Sequence, residues 1–252
     1  MSWNDWREPK GISISRKSQL EIPGIFETSL EALEQHNPNF FCDRLTSGDQ
    51  WRIFSHFRKN TAYIDIETTG LSEQAEITTI ALYDGSKVFT YVNGRNLEQF
   101  ADDIWKYKVL VSYNGKSFDI PFIEKHFRIN LPQAHIDLRF VLAKLGIKGG
   151  LKGCEKMIGI NRGALDGVDG AFAVHLWRDY IHYDDESALN TLLAYNVEDS
   201  VNLERLLVEA FNRNLRATPF AEPLSLPFPK QPVLTHQPDL DCVARIKRQF
   251  YY

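Results

Sequence analysis

The sequence predicts an α/β fold: a mixed β-sheet of three antiparallel strands plus parallel strands, flanked by α-helices. Three observations carry this. First, Ala62 to Glu67, Glu76 to Tyr83 and Lys87 to Val92 are consecutive strand-like runs joined by short connections, with Asp84-Gly85-Ser86 as one turn. That is the pattern of an antiparallel meander. Second, a helical stripe (Leu97, Phe100, Ala101, Ile104, Trp105) leads to a short apolar strand, Val109 to Tyr113. A strand reached through a helix can return parallel to the first. Third, about Glu186 to Asn214 carries Ala188, Leu192, Tyr195, Asp199, Leu203, Leu206 and Ala210 on one helical face, with Glu198, Arg205 and Glu209 opposite. A helix with one apolar stripe covers a core.

The elements follow in order. Residues 1–60 are an N-terminal accessory segment with too little apolar surface for a core of its own. Leu20 to Phe26 contains a Pro23-Gly24 turn signal, and Ser29 is a candidate cap for a short helix to Glu34. Gln50 to Lys59 is aromatic-rich and leads as a further helix into the first strand. Residues 61–214 hold the main domain. Beyond the Val109 strand it continues with a helix from about Ile120 to Phe127, with Pro121 early, where proline is tolerated. A short strand at His135 to Leu138 follows, then helices at Arg139 to Leu145, from Gly149-Gly150 to about Ile158, and Phe172 to Tyr180. Residues 215–252 are a proline-punctuated tail, Pro219 to Pro238, that ends in a basic and aromatic stretch with a short helix.

Composition narrows the class. The chain has 252 residues, 43% hydrophobic and 25% charged, as in an ordinary globular protein. No apolar run reaches membrane-span length, and Met1 to Lys10 has no signal-peptide core, so the expected location is cytoplasmic, with no membrane partner. Cys42, Cys154 and Cys242 are far apart and odd in number, which excludes a disulfide framework or a zinc-site spacing. The net charge of −4 does not advertise nucleic-acid binding. Charge is uneven, however. Arg139 to Arg162 holds six basic residues against Glu155 alone, either a basic strip or a solvated helix face.

The first strand carries the chemistry. Ile64 and Ile66 point to one face, and Tyr63, Asp65 and Glu67 to the other. Two carboxylates therefore leave the same side of an apolar strand. Unpaired they repel and resist desolvation, and a hard divalent ion such as magnesium or manganese relieves both costs. Taken alone, Asp-x-Glu here is more simply a solvated strand end. A second signal is Tyr113-Asn114-Gly115-Lys116-Ser117-Phe118-Asp119, where Asp119 opens a helix after a strand. It is an N-cap, a ligand in the crevice at the strand ends, or both. A third is Tyr195 and Asp199, four apart on the inward stripe. Asp199 has no basic partner on that stripe, so it pairs with a distant Arg or Lys or belongs to the site. Tyr195 is otherwise a core aromatic.

Three such motifs in order resemble the DEDD superfamily of 3′–5′ exonucleases on the ribonuclease-H-like fold. Asp65 to Leu71 resembles the first motif, Asn114 to Asp119 with Phe122 the second, and Tyr195-x-x-x-Asp199 the third in its tyrosine form. Gly149-Gly150-Leu151-Lys152 and Tyr195-Asn196-x-Glu198-Asp199 are similar to bacterial ribonuclease-H-like exonuclease-type proteins. The likeness spans Ala62 to Asp199. The insert from Gly149 to Asp185 departs from the pattern by its length.

The resemblance implies a two-metal phosphodiesterase. Asp65, Glu67, Asp119 and Asp199 would hold two Mg2+ or Mn2+ ions about 4 Å apart. Tyr195 would orient the attacking water rather than remove its proton, since its ordinary pKa is about 10. The expected partners are single-stranded DNA or RNA 3′ ends, and the products nucleoside 5′-monophosphates. Thr68, Asn114, Lys116 and Phe118 are the candidate substrate contacts, Asn114 and Lys116 with turn roles as alternatives and Phe118 with core packing. Two other functions compete: a structure-specific endonuclease using the same carboxylates, and a catalytically silent nucleic-acid-binding module.

Overall fold

β1 (Thr61–Thr68) is the middle of a five-stranded sheet in a computed structural model that describes residues 15–72, 74–218 and 220–250. β2 (Ile77–Tyr83) and β3 (Val88–Val92) extend it on one side as the expected antiparallel meander. β4 (Val109–Ser112) and β5 (Ala134–Asp137) extend it on the other, parallel to β1. The order is β3-β2-β1-β4-β5, so the predicted parallel pairing of β1 with the Val109 strand is present.

Both faces of the sheet are covered, and strand alternation decides which side chain goes where. Ile64, Ile80, Leu82 and Leu110 pack with Phe100, Ile104 and Ile123 on one face. Tyr63, Ala81, Tyr83, Val109 and Val111 pack on the other with Leu203, Leu206 and Phe211. Those last three belong to the long helix Glu186–Arg216, 31 residues, which lies across β1 and β2. Asp185 caps it, its carboxylate accepting from the Ser187 and Ala188 amides. All seven residues of the predicted inward stripe are buried. Asp65 and Glu67 are in phase with Tyr63, so the strand aims them at this helix.

Two expectations change at the N-terminus. Pro23-Gly24 does not turn the chain; a helix runs through it, Arg16–Glu34, capped by Ser15 rather than Ser29. Most of that helix is exposed, where water can serve backbone groups that proline leaves unpaired. The second concerns the helix expected over Gln50 to Lys59, in a segment that packs into the main core. Cys42, Trp51, Ile53, Phe54 and Phe57 lie in the same core as Tyr63 and Phe211. They form two short α-helical turns, Asn39–Cys42 and Phe54–Phe57, linked by a 3-10 segment Ser47–Ile53, rather than one helix.

The tail from Leu215 packs back on the domain. Leu226 and Leu234 touch the main core, and Cys242, Val243 and Ile246 of the closing helix Leu240–Phe250 join Phe172, Leu176 and Tyr195 in a second cluster. The polar stretch Met1 to Lys10, Pro219 and the final two tyrosines lie outside the described residues. No helix among the described residues is long and apolar enough to cross a membrane.

Phe54 links the N-terminal segment to the sheet and to the long helix, with its ring 6.5 Å from Tyr63 and 6.3 Å from Phe211. Phe54→Ala is expected to lower stability by about 3–5 kcal/mol in denaturant unfolding, the cost of a large cavity in a full core. Ile25→Ala, on the exposed helix face, should change it by less than about 0.5 kcal/mol.

Candidate active site

Asp65, Glu67 and Asp199 meet where β1 faces the long helix. One carboxylate oxygen from each lies within 4.8 Å of the other two. Asp65 is half-buried; Glu67 and Asp199 are buried. The β1–β2 register shifts between Glu67 and Thr68, just past the pair, before Thr68 pairs with Ile77.

Asp119 arrives from the other side of β1. The β1–β4 pairing stops at Tyr63 and Val111, and the chain then turns through residues 113–118. Asp119 Oδ1 accepts from the next available β1 donor, the Ile66 amide, at 3.3 Å. Asp119 is the first residue of the helix Asp119–Phe127, whose cap position is Phe118, so it does not act as an N-cap. The turn itself is built for close approach. Asn114 has φ 66°, and a Cβ at Gly115 would lie 2.1 Å from Ser112 Oγ and 3.3 Å from Asp119 Oδ2. Only glycine fits there. Asp137, at the end of β5, fastens the turn by accepting from the Asn114 amide at 2.8 Å and the Lys116 amide at 3.2 Å.

These groups line one open cleft of about 360 Å³. Its walls are Asp65, Glu67, Asp119, Asp199 and Tyr195, together with Ile66, Tyr113, Asn114, Phe118 and Gly149 to Lys152. Of the four substrate contacts expected from sequence, Asn114 and Phe118 reach the cleft. Phe118 also stacks obliquely on Phe122, ring centres 4.7 Å apart. Thr68 is buried and donates its hydroxyl to the Gly70 carbonyl at 2.6 Å, a turn role. Lys116 is not in the cleft wall, and its ammonium donates to Gln50 Oε1 at 2.8 Å. The basic strip is likewise mostly committed: Arg139 holds Asn114, and Lys144 holds Asp49.

Four further residues hold the site, of which the sequence motifs quoted above contain Asn196 and Lys152 without giving them a role. Asn196 donates to Asp65 Oδ2 at 2.7 Å and to the Asp65 carbonyl at 3.0 Å, while accepting from the Thr79 hydroxyl at 3.0 Å. That fixes the Asp65 side chain against β1 and β2. Lys152 donates to the Tyr195 hydroxyl at 2.5 Å. Arg162 donates to Asp199, and Glu155 holds Arg162 through two bonds of 2.6 and 2.9 Å. Asp199 therefore does both things its position suggested: it pairs with a distant arginine and joins the carboxylate group. The signals were present in part, since Asn196 lies beside Tyr195, and Lys152 follows two glycines with φ of 113° and 72°.

The electrostatics follow from crowding anions in a dry wall. Burial, then repulsion from Asp199, Glu67 and Asp119, holds the Asp65 carboxyl well above the usual carboxylate range; Asn196 opposes this. Burial and Asp199 do the same to Glu67, partly offset by Lys152. Asp119 is pushed up to about 7, chiefly by burial. Burial also raises the Tyr195 phenol, reinforced by Asp199, Glu67 and Asp65. Burial lowers the Lys152 ammonium against the pull of Asp199. Such a group suits a hard divalent cation: the oxygens are close, they are the ligand type such ions take, and a cation would cancel the repulsion.

Against known proteins, the model of the RNase_H superfamily matches residues 62–211, more than half of the chain. This chain belongs to the RNase_H superfamily. A search of curated proteins gives no match. Among solved structures, the family B DNA polymerase from the hyperthermophilic archaeon Pyrobaculum calidifontis is similar at 16% identity and a TM-score of 0.48. The alignment covers 62% of this chain and 24% of the polymerase. The superfamily match runs from the start of β1 into the long helix, so it contains every cleft residue named above.

The raised Asp119 carboxyl has a measurable consequence in metal-free protein. A proton held more tightly by the fold than by the unfolded chain favours the fold at low pH. That contribution is complete below 3.8 and is lost as pH rises through about 7. In EDTA, wild type should therefore lose stability from about pH 4 to about pH 7, and Asp119→Asn should make that part of the profile shallower, the raised Asp65 and Glu67 carboxyls keeping the rest. Thermal unfolding across pH reads this directly. An unchanged profile in the variant would contradict the assignment.

Proposed function

We propose that this protein is a metal-dependent 3′–5′ exonuclease that hydrolyses single-stranded nucleic acid to nucleoside 5′-monophosphates. The observation that supports it most is the convergence of Asp65, Glu67, Asp119, Asp199 and Tyr195 on one cleft wall of an RNase_H superfamily chain. Asp65, Glu67, Asp119 and Asp199 would hold two divalent cations, Mg2+ or Mn2+. When bound, those ions supply an activated water and charge stabilisation for the leaving 3′ oxygen.

The chain's own residues set the geometry. Asp65 is held in one orientation by Asn196, and Asp119 by the Ile66 amide. Tyr195 is a poor base, because its phenol holds its proton more tightly than usual. Its role is to orient the attacking water through its hydroxyl, which Lys152 fixes in place. Asn114 and Phe118, which line the same cleft, would contact the terminal nucleotide, Asn114 through its amide and Phe118 by stacking. Residues 61–214 form the catalytic unit in this reading. Residues 1–60 and 215–252 flank it; of their described residues, 42–57 supply core and 220–250 a strap.

The test uses end-labelled single-stranded DNA and RNA with Mn2+ or Mg2+. Wild type should shorten the strand stepwise from its 3′ end, with the product a 5′-monophosphate. Asp65→Ala and Asp199→Asn should each reduce the rate by at least about 100-fold, and EDTA should abolish it. Internal cuts would replace this reading with an endonuclease. Strand binding without metal-dependent cleavage would leave a silent binding module.

A further inference from the structure

Arg162 is a cation already seated on one of the carboxylates. It comes from the loop after the helix Gly150–Met157 and reaches 37 residues along the chain to Asp199. Its Nη2 donates at once to Asp199 Oδ1 and, at 2.9 Å, to Glu155 Oε1; its Nε donates to Glu155 Oε2 at 2.6 Å. Asn202 closes the network, donating to Glu155 Oε1 at 2.9 Å. Arg162 is 8% exposed and Glu155 1%. Arg162 is not among the residues that line the cleft.

Two roles are open to such an arginine. It could swing away when a metal enters, or stay and hold Asp199. The anchoring decides between them. A guanidinium forked onto a buried glutamate, itself held by an asparagine, is locked on two sides. Its charge is matched by Glu155, so the pair adds little net repulsion toward an incoming cation. Releasing it would leave the Glu155 charge in the core with Asn202 alone and no cation to match it, which is a costly state.

We propose that Arg162 is a positioning residue for metal binding: by engaging Asp199 Oδ1 it fixes the orientation of the Asp199 carboxylate that meets Asp65 and Glu67. Glu155 and Asn202 are its anchor. The same short helix carries Lys152 onto Tyr195 and Glu155 onto Arg162, so one element braces both residues of the third motif. Outer partners of this kind orient metal ligands, and their loss commonly costs about 10–100-fold in affinity. The inference rests on the reading that Asp65, Glu67 and Asp199 hold a divalent ion.

The test measures Mn2+ binding to the full chain by titration calorimetry, with thermal unfolding in EDTA as the fold control. Arg162→Lys keeps the charge but cannot fork. The double variant Glu155→Leu/Arg162→Met removes both partners of the ion pair, so that Glu155 is not left unpaired while Asp199 loses its arginine, and so keeps the test open if the single variant is unstable. Both should bind Mn2+ at least about ten-fold more weakly than wild type, with the double variant unfolding in EDTA near the wild-type temperature. Affinity within about two-fold of wild type in either folded variant would overturn the proposal and leave Arg162 a structural ion pair. Tighter binding would overturn it in the other direction, making Arg162 a competitor of the ion. A wild type that binds no Mn2+ fails at the earlier step, the metal site itself, and is thereby told apart.

Discussion

Mutual repulsion among buried carboxylates is the constraint on which this molecule turns. Asp65, Glu67, Asp119 and Asp199 share a wall that is largely shielded from water. Ordinary folding energetics would remove or separate such groups. Here they are held in place by dedicated donors: Asn196 on Asp65, the Ile66 amide on Asp119, Arg162 on Asp199 and the nearby charge of Lys152 for Glu67. The fold spends stability at this point to keep negative charge concentrated, and a bound cation is what would recover it.

The sheet explains why the cluster can form at all. β1 is central, so its two carboxylates cannot drift to an edge, and alternation sends both to the face covered by the long helix. β4 stops short of β1, which frees the Ile66 amide for Asp119. The β1–β2 register shifts just after Glu67. Strand register, a turn that needs Gly115, and one helix phase together bring four distant residues to one cleft.

Much of this was legible in the sequence, because the signals are local. Alternation along β1 placed Asp65 and Glu67 together, and helical phase placed Tyr195 over Asp199. The meander and the crossover to Val109 followed from turn residues and period. What was not legible is long-range. Nothing local says that Arg162 pairs with Asp199, that Lys116 turns away to Gln50, or that Asp137 ties down the 113–118 turn. The burial of Trp51, Phe54 and Phe57 was missed because an aromatic-rich segment shows its packing partners only in the fold. Pro23-Gly24 misled for the opposite reason: a local breaker signal was overridden in an exposed helix.

The most direct test of the account is crystallographic: anomalous scattering from crystals of the wild-type protein grown with Mn2+. The account predicts manganese density between Asp65, Glu67 and Asp199, with Asp119 at or beside it and Arg162 still on Asp199 Oδ1. Crystals at saturating Mn2+ with no anomalous peak in this cleft would contradict the central claim that the buried carboxylates are a cation site.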